Sequence, residues 1–335
     1  MNSATLMLVA AMADGRFHTG DELGSRFGVT RAAIWKAVRK IPELGLEVHS
    51  VRGKGYRLSQ PLTLLDGALV RDGIVPDARQ GLQELELLGC VDSTNSHTLR
   101  RIQSGDLVLR PGCSYACLAE MQTAGRGRRG RAWVSPFGHN LYLSLCREFG
   151  SGASGLEGLS LVIGIALVRA LQQWGLVGLG LKWPNDVLCN GRKLAGILIE
   201  ISGDVTGQCQ VVIGVGMNLK QATATMAAVS QPWTSLEHSG FDSSQRNQLF
   251  GSILGRLLAA LDHFQQLGFQ AFVSDWDRFD VTAGRELVLT SVTSEVCGTG
   301  CGVDASGALL LQTEAGLRRF HGGEVSLRTV GCLAT

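Results

Sequence analysis

An α+β fold divided among several domains is what the 335-residue sequence predicts, and three observations carry that expectation. Capped helices joined by a glycine turn occupy the N-terminal end. Apolar strand-like runs then alternate with helical stretches from Leu85 to Trp276, as a central α/β domain on a mixed sheet requires. Beyond Arg285 the pattern changes to short strands split by turns, the habit of a small β-barrel. Residues 1–62, 66–279 and 280–331 are the expected domains, with Gln60-Pro61-Leu62-Thr63 as the first linker.

At the front, residues 4–12 read as a short apolar helix and Asp14-Gly15 as a turn. Thr19, with Glu22 three positions on, is a capping box opening a second helix that carries Leu23 and Phe27. Gly28 ends it. Thr30 caps a third helix in which Ile34, Val38 and Ile41 face inward, leaving Arg31, Trp35, Lys36, Arg39 and Lys40 outward or flanking. Pro42 is expected to close that helix. Strands over Leu46–Val51 and Tyr56–Leu58 then enclose the basic tip Arg52-Gly53-Lys54-Gly55. Two helices around a glycine turn, the second basic, followed by a basic hairpin, follow the plan of a winged helix-turn-helix. Charge agrees: residues 1–60 carry nine basic and five acidic side chains, a net of +4, although the whole chain is only +2. Arg31, Trp35, Lys36, Arg39, Lys40, Arg52 and Lys54 are therefore candidate DNA contacts. A protein-interaction module with a solvated basic helix is the plainer alternative. One such unit contacts few bases, so specificity calls for a dimer on a two-fold repeated site.

In the middle of the chain, Asp92-Ser93-Thr94-Asn95 lies between the apolar run Leu85–Val91 and a helical stretch, Ser96–Ile102. Side-chain oxygens and free N–H groups meet there, enough to hold a carboxylate or a ureido ring, or merely to cap a helix. Strand Ala116–Met121 leads into Gln122-Thr123-Ala124-Gly125-Arg126-Gly127-Arg128-Arg129-Gly130-Arg131-Ala132-Trp133. Four arginines and three glycines fill seven consecutive residues of it. Guanidinium forks match carboxylate and phosphate oxygens, and glycine lets the backbone lie close to a ligand. Gly125, Gly127 and Gly130 spell G-x-G-x-x-G, but Pro136 stops the helix that a dinucleotide fingerprint needs. Arg131 and Ala132 likewise stand where a P-loop has its Lys and Ser/Thr. The remaining readings are an anion-binding loop or a solvated basic one.

The strand leaving this loop carries Leu141, Leu143 and Leu145 in alternation. Leu156–Trp174 is the longest apolar helix candidate, and Glu157 and Arg169 within it favour burial over a membrane span. Lys182-Trp183-Pro184-Asn185-Asp186 is a turn cluster, and Asn190-Gly191 is a two-residue hairpin signal. If that turn is two-residue, Leu188 pairs with Lys193. Asp186 and Lys193 then lie diagonally on one face, with backbones about 7–8 Å apart. Val211–Asn218 is an apolar strand whose Gly214 and Gly216 share a face, where something can approach the backbone. Residues 245–267 form an amphipathic helix through Phe250, Ile253, Leu257, Leu261 and Phe264, followed by a short helix near Ala271–Trp276. The tail strands turn at Asp304-Ala305-Ser306-Gly307 and Thr313-Glu314-Ala315-Gly316. Nine scattered cysteines without C-x-x-C pairs, and no secretory leader, lead to an expectation of reduced thiols and a cytoplasmic location.

In order, the DSTN, QTAGRGR, KWPND, KLAGI and GVGMN stretches beginning at Asp92, Gln122, Lys182, Lys193 and Gly214 resemble those of the biotin protein ligases. With the winged helix at the front, the chain is similar to the bifunctional bacterial kind, ligase and biotin operon repressor together. The resemblance covers nearly the whole chain and is weakest from Gln221 to Ser244. It implies a two-step reaction: biotin and MgATP give biotinyl-5′-adenylate and pyrophosphate, and a lysine of a biotin carrier protein, the acetyl-CoA carboxylase subunit, takes the biotin. It places biotin against Ser93, Thr94, Asn95, Gln122, Arg126, Gly127, Arg128 and Lys193, with Lys193, Arg128 and Asp186 in catalytic roles. Gly125, Trp133, Gly196, Gly214, Gly216 and Asn218 would contact or cover the ligand. Mg²⁺ would come with ATP, near Asp186, rather than occupy a fixed protein site. The resemblance also implies operator DNA as partner, a homodimer once adenylate is bound, and an SH3-like C-terminal domain whose last strand is Gly322-Gly323-Glu324-Val325-Ser326-Leu327-Arg328. Two rivals stand beside it: a lipoate-type ligase, and a biotin-sensing repressor without ligase activity.

Overall fold

The computed structural model describes residues 3–150, 152–204, 207–220, 231–291, 294–322 and 326–329. Helix α1 (Ser3–Ala11) leads to α2 (Gly20–Phe27), whose N-cap Thr19 forms the reciprocal capping box with Glu22 and whose C-cap Gly28 is left-handed at φ 65°. Thr30 caps α3 (Arg31–Val38) by accepting from Ala33 N. Pro42 does not end α3: the helix stops at Val38, and Pro42 opens a separate 3₁₀ turn, Ile41–Leu44, where its missing N–H costs nothing. Strands β1 (Val48–Val51) and β2 (Gly55–Leu58) pair antiparallel around the basic tip. Leu8, Met12, Leu23, Ile34, Val38, Ile41 and Leu58 make the core of this unit.

Two short helices that the sequence reading passed over, α4 (Gly67–Asp72) and α5 (Pro76–Arg79), precede the central sheet. Its strands and helices follow as β3 (Leu82–Leu88), α6 (Thr94–Gln103), β4 (Ser114–Ala119), β5 (Asn140–Phe149), α7 (Leu159–Gln173), β6 (Leu179–Lys182), β7 (Asp186–Cys189), β8 (Arg192–Gly203) and β9 (Cys209–Asn218). Helices α8 (Arg246–Leu267) and α9 (Val273–Phe279) close the unit, α9 starting and ending later than expected. The strand before the Asp92 turn is Leu82–Leu88, three residues earlier than the apolar run suggested, because Ser93 caps α6 and the approach to it is loop.

The seven-stranded sheet runs β3-β4-β5-β9-β8-β7-β6; β3 and β4 are parallel and every other pair is antiparallel, so it is mixed. Alternation along its strands separates two faces. Ala116, Leu118, Leu143, Leu145, Val211, Ile213 and Val215 join α7 and α8 in the main core. On the other face Tyr115, Cys117, Cys146 and Val212 are buried with Leu107 and Leu109, and Leu99 and Ile102 of α6 pack against them. On that face Gly214 and Gly216 present no side chain. No described helix is long and apolar enough to cross a membrane.

The C-terminal unit is a five-stranded antiparallel sheet of β10 (Glu286–Thr290), β11 (Glu295–Val303), β12 (Leu309–Thr313), β13 (Gly316–Phe320) and β14 (Ser326–Thr329), in the order β13-β12-β11-β10-β14. The expected small β-barrel is not closed among the described residues: β13 and β14 are the two edges of the sheet, and no pairing joins them there. Gly323-Glu324-Val325 of the anticipated last strand, and residues 330 and 331 of the anticipated domain, lie outside the described residues.

Candidate ligand-binding and catalytic site

The site is a layered arrangement of strand floor, helix end and loop cover. Pairing aligns Tyr142, Gly216, Gly196 and Asp186 across β5, β9, β8 and β7, so opposed residues share one face. Two facing glycines make the middle of this row flat. The Trp133 indole lies on it: a Cβ at Gly216 would meet the ring at 2.5 Å and one at Gly196 at 3.2 Å. A side chain at Gly216 would displace the ring, and one at Gly196 would crowd it. The indole Nε1–H is buried and has no acceptor among the described residues, a state that costs about 1–3 kcal/mol and that a ligand acceptor would relieve.

Hairpin chemistry brings the charged pair to this row. Asn190 at φ 50° and Gly191 at φ 75° form the two-residue turn, Leu188 pairs with Lys193, and a bulge then shifts the register so that Asp186 faces Gly196. Lys193 Nζ comes to 2.8 Å from Asp186 Oδ1 and 5.5 Å from the Trp133 ring centre. Both side chains are largely buried, at 16% and 20% exposure, so this is no ordinary surface ion pair.

The loop itself is a closed hairpin rather than a helix. Arg126 bridges Ala132, Trp133 N donates to Gly125 O at 2.8 Å, and Arg129 is left-handed at φ 58°. Gly125 has no room for a Cβ, which would sit 2.5 Å from Trp133 O; at Gly127 the nearest atom is 3.6 Å away, so space alone does not demand glycine there. Arg128 donates to Asn185 Oδ1 at 3.2 Å and to the Gly322 carbonyl of the C-terminal unit. Arg126 Nη2 donates to Ser96 Oγ at 2.9 Å and pairs with Glu200 at 3.1 Å.

At the α6 end, Ser93 is the N-cap. Thr94 N and Oγ1 both donate to Gln122 Oε1, at 2.9 and 3.2 Å, and Gln122 Nε2 donates to Ser135 Oγ. Asn95 is engaged within the protein at both ends of its amide: Nδ2 donates to Glu200 at 2.8 Å, and Oδ1 accepts from Ser144 at 2.5 Å. That Oδ1 also stands 2.6 Å from where a Gly214 Cβ would be. Asn218 is similarly occupied, its Nδ2 donating to Thr234 O. Asp92 forms a two-pronged pair with Arg100 at 2.7 and 2.8 Å, and those bonds hold its carboxyl down at about 2.

The structure thus gathers Ser93, Thr94, Gln122, Arg126 and Gly214 at the start of α6, and Asp186, Lys193, Gly196 and Gly216 along the strand row under Trp133, with Arg128 reaching Asn185 next to that row. Asn95 and Asn218 lie nearby but face protein atoms. Sequence reading missed Glu200, Ser144, Ser96, Ser135 and Asn185. For Glu200 a signal existed, since it is the acid that ends the apolar run Leu194–Ile199 in β8, but only sheet register shows it opposite α6. A grouping of Glu86, His97 and Cys117 has ligand-like spacing. Glu86 Oε2 already accepts from His97, Arg101 and Tyr115, and burial pushes the Cys117 thiol up to about 12, so these groups form a satisfied network rather than a metal centre.

In the N-terminal unit Arg31, Trp35, Lys36, Arg39, Lys40, Arg52 and Lys54 are all exposed along α3 and the β1–β2 tip. Arg31 pairs with Asp21 at 3.4 Å, and the Arg39 guanidinium stacks 4.8 Å over Trp35.

Known families match the chain in the same order as its three units. An HTH domain matches residues 5–57, the biotin/lipoate A/B protein ligase family residues 89–218, and the biotin protein ligase C-terminal domain residues 288–328. The bifunctional ligase/repressor BirA of Salmonella typhimurium is 40% identical over 97% of this chain and 97% of its own length. The chain belongs to the biotin protein ligase family, in its bifunctional ligase/repressor branch. BirA of Escherichia coli is 39% identical over 98% of each chain. Among solved structures, the biotin protein ligase from Aquifex aeolicus in complex with biotin and ATP superposes with a TM-score of 0.61 at 29% identity, covering 74% of this chain and 99% of that one. Within this biotin protein ligase, the family's ligase match ends at Asn218, the last residue of the glycine-bearing strand.

Proposed function

We propose that this protein joins biotin to ATP and then to a carrier lysine, and that its N-terminal unit represses the biotin operon with biotinyl-5′-adenylate as corepressor. The observation that supports the reading is that one glycine-rich loop carries Arg126, tied to the start of α6, and Arg128, tied to Asn185, while its Trp133 lies over Gly216 and Gly196 beside Lys193. Biotin's carboxylate and the phosphates of ATP repel one another, so forming the mixed anhydride needs fixed cations aimed at the developing charge. A carboxylate oxygen attacks the α-phosphorus and pyrophosphate leaves. The carrier lysine's amine then attacks the acyl carbon and AMP departs.

Ser93, Thr94 and Gln122 hold the ureido ring in this assignment, with Asn95 supporting them from behind. Trp133 covers the ligand as the loop shuts, and exclusion of water preserves the adenylate. Asp186 balances Lys193 while no phosphate is present. Once the ammonium turns to phosphate, the carboxylate is free to steer the Mg²⁺ that arrives with ATP or to take a proton from the carrier lysine, whose ordinary pKa is about 10.4. The five-stranded C-terminal sheet serves as an SH3-like cap, supported by its family match and by the Gly322 carbonyl that receives Arg128. A homodimer formed with adenylate bound would place two α3 helices on a repeated operator.

The deciding experiment is transfer of labelled biotin, with MgATP, to a biotin carrier domain, beside a lipoate control and a carrier lacking its target lysine. Transfer that needs biotin, ATP and that lysine is expected. Labelling with lipoate instead, or operator protection with no transfer at all, would overturn the ligase assignment.

A further inference from the structure

We propose that Glu200 is the residue that holds the arginine loop shut, a positioning residue acting through Arg126 and Asn95. It lies in β8 on the face toward α6, outside every stretch that carries the family resemblance. Its carboxylate accepts from Asn95 Nδ2 at 2.8 Å through Oε2 and from Arg126 Nη2 at 3.1 Å through Oε1. The same Nη2 reaches Ser96 Oγ at 2.9 Å, so one guanidinium ties the loop to both β8 and the start of α6.

The consequence passes along the loop stem. Arg126 bridges Ala132 and the neighbouring Gly125 carbonyl receives Trp133 N, so fixing Arg126 fixes the base from which the indole lies over Gly196 and Gly216. Glu200 also decides which way the Asn95 amide points. Turned over, that amide would set its oxygen against the carboxylate; as it stands, Oδ1 takes the Ser144 hydroxyl and rests on Gly214. Arg126 is 46% exposed and Glu200 only 25%, so the acid is the more buried partner of the pair.

The ligand-binding consequence rests on the ligase reading; loop closure itself does not. In the ligand-free full chain, limited trypsin cleavage after Arg128, Arg129 and Arg131 is compared among wild type, Glu200→Gln, Arg126→Ala and the double variant, with thermal melts confirming that each is folded. Glu200→Gln keeps an acceptor for Asn95 but loses the charge toward Arg126. Cleavage within the loop is expected to quicken about ten-fold, the scale of one lost charge-assisted hydrogen bond, and Glu200→Gln should add nothing in the Arg126→Ala background. Equal rates in wild type and Glu200→Gln would overturn the proposal, as would additive effects of the two substitutions, which a merely structural role predicts. Biotin should also leave Glu200→Gln about ten-fold faster, and an unchanged rate would overturn the proposal too. A wild-type protein that binds no biotin would defeat the ligase reading, while the trypsin rates still decide whether Glu200 closes the loop.

Discussion

Lys193 shows what a single residue does here. Its ammonium is largely buried, 2.8 Å from Asp186 and beside the indole that lies over the glycines. A fixed cation aimed at developing negative charge is worth about 10²–10³ in rate, so Lys193→Ala is expected to reduce biotin-dependent pyrophosphate release by at least about that factor. A variant releasing pyrophosphate at the wild-type rate would remove Lys193 from the mechanism. The pairing of Lys193 with Asp186 was legible in sequence because Asn190-Gly191 sets a hairpin register. Glu200 was not legible in the same way: its partners Asn95 and Arg126 lie 105 and 74 positions away, and only the sheet brings them together.

Among the elements, α6 organises the site, and its N-terminal approach is fixed electrostatically. Arg100 holds Asp92 at about 2, below the unfolded value of about 3.9. A carboxyl lowered on folding stabilises the fold above its unfolded pKa, and that contribution fades as pH falls from about 4 toward about 2. The pair is 55% and 44% exposed, so solvent screening limits it to at most about 1 kcal/mol. Asp92→Asn should therefore be slightly less stable than wild type in denaturant melts at pH 6, with the gap narrowing below pH 4; a gap independent of pH would mean that the charge is not what matters. The caps at Thr19 and Thr30 needed no tertiary information, since a capping side chain and its N–H partner are three residues apart. Strand ends were read less well. The apolar run before Asp92 continues past Leu88, where pairing with β4 ends and the chain turns toward the α6 cap.

For the whole molecule, the join between the N-terminal and central units is a buried polar lock. Arg246, with no exposed side chain, pairs with Glu120 at 2.8 Å and donates to the carbonyls of Thr63 and Asn140. Asn247 donates to Leu64 O and accepts from Asp66 N, while Glu120 accepts from Leu65 N. Side chains of the central domain thus satisfy the linker backbone from Thr63 to Asp66. Phe137, just beyond the arginine loop, is buried in the N-terminal core, and Met121, just before it, packs against the same core. Removing one partner of a buried pair strands the other charge, so Glu120→Ala should lower unfolding free energy by about 3–5 kcal/mol. A loss below about 1 kcal/mol, the ordinary size for an exposed pair, would show that Arg246 finds water when Glu120 is absent.

What the sequence determined by itself is local: helix periodicities and caps, the wing with its basic tip, the glycine–arginine loop, and the Asn-Gly hairpin that pairs Asp186 with Lys193. Each depends on residues a few positions apart, whose geometry the backbone sets directly. Tertiary structure alone decided which partners those groups find. Sheet register brought Gly196 opposite Gly216 beneath Trp133, turned Asn95 inward onto Glu200 and Ser144, and set Glu120 against Arg246. Among the described residues it also left β13 and β14 unpaired, a long-range pairing that strand pattern cannot specify.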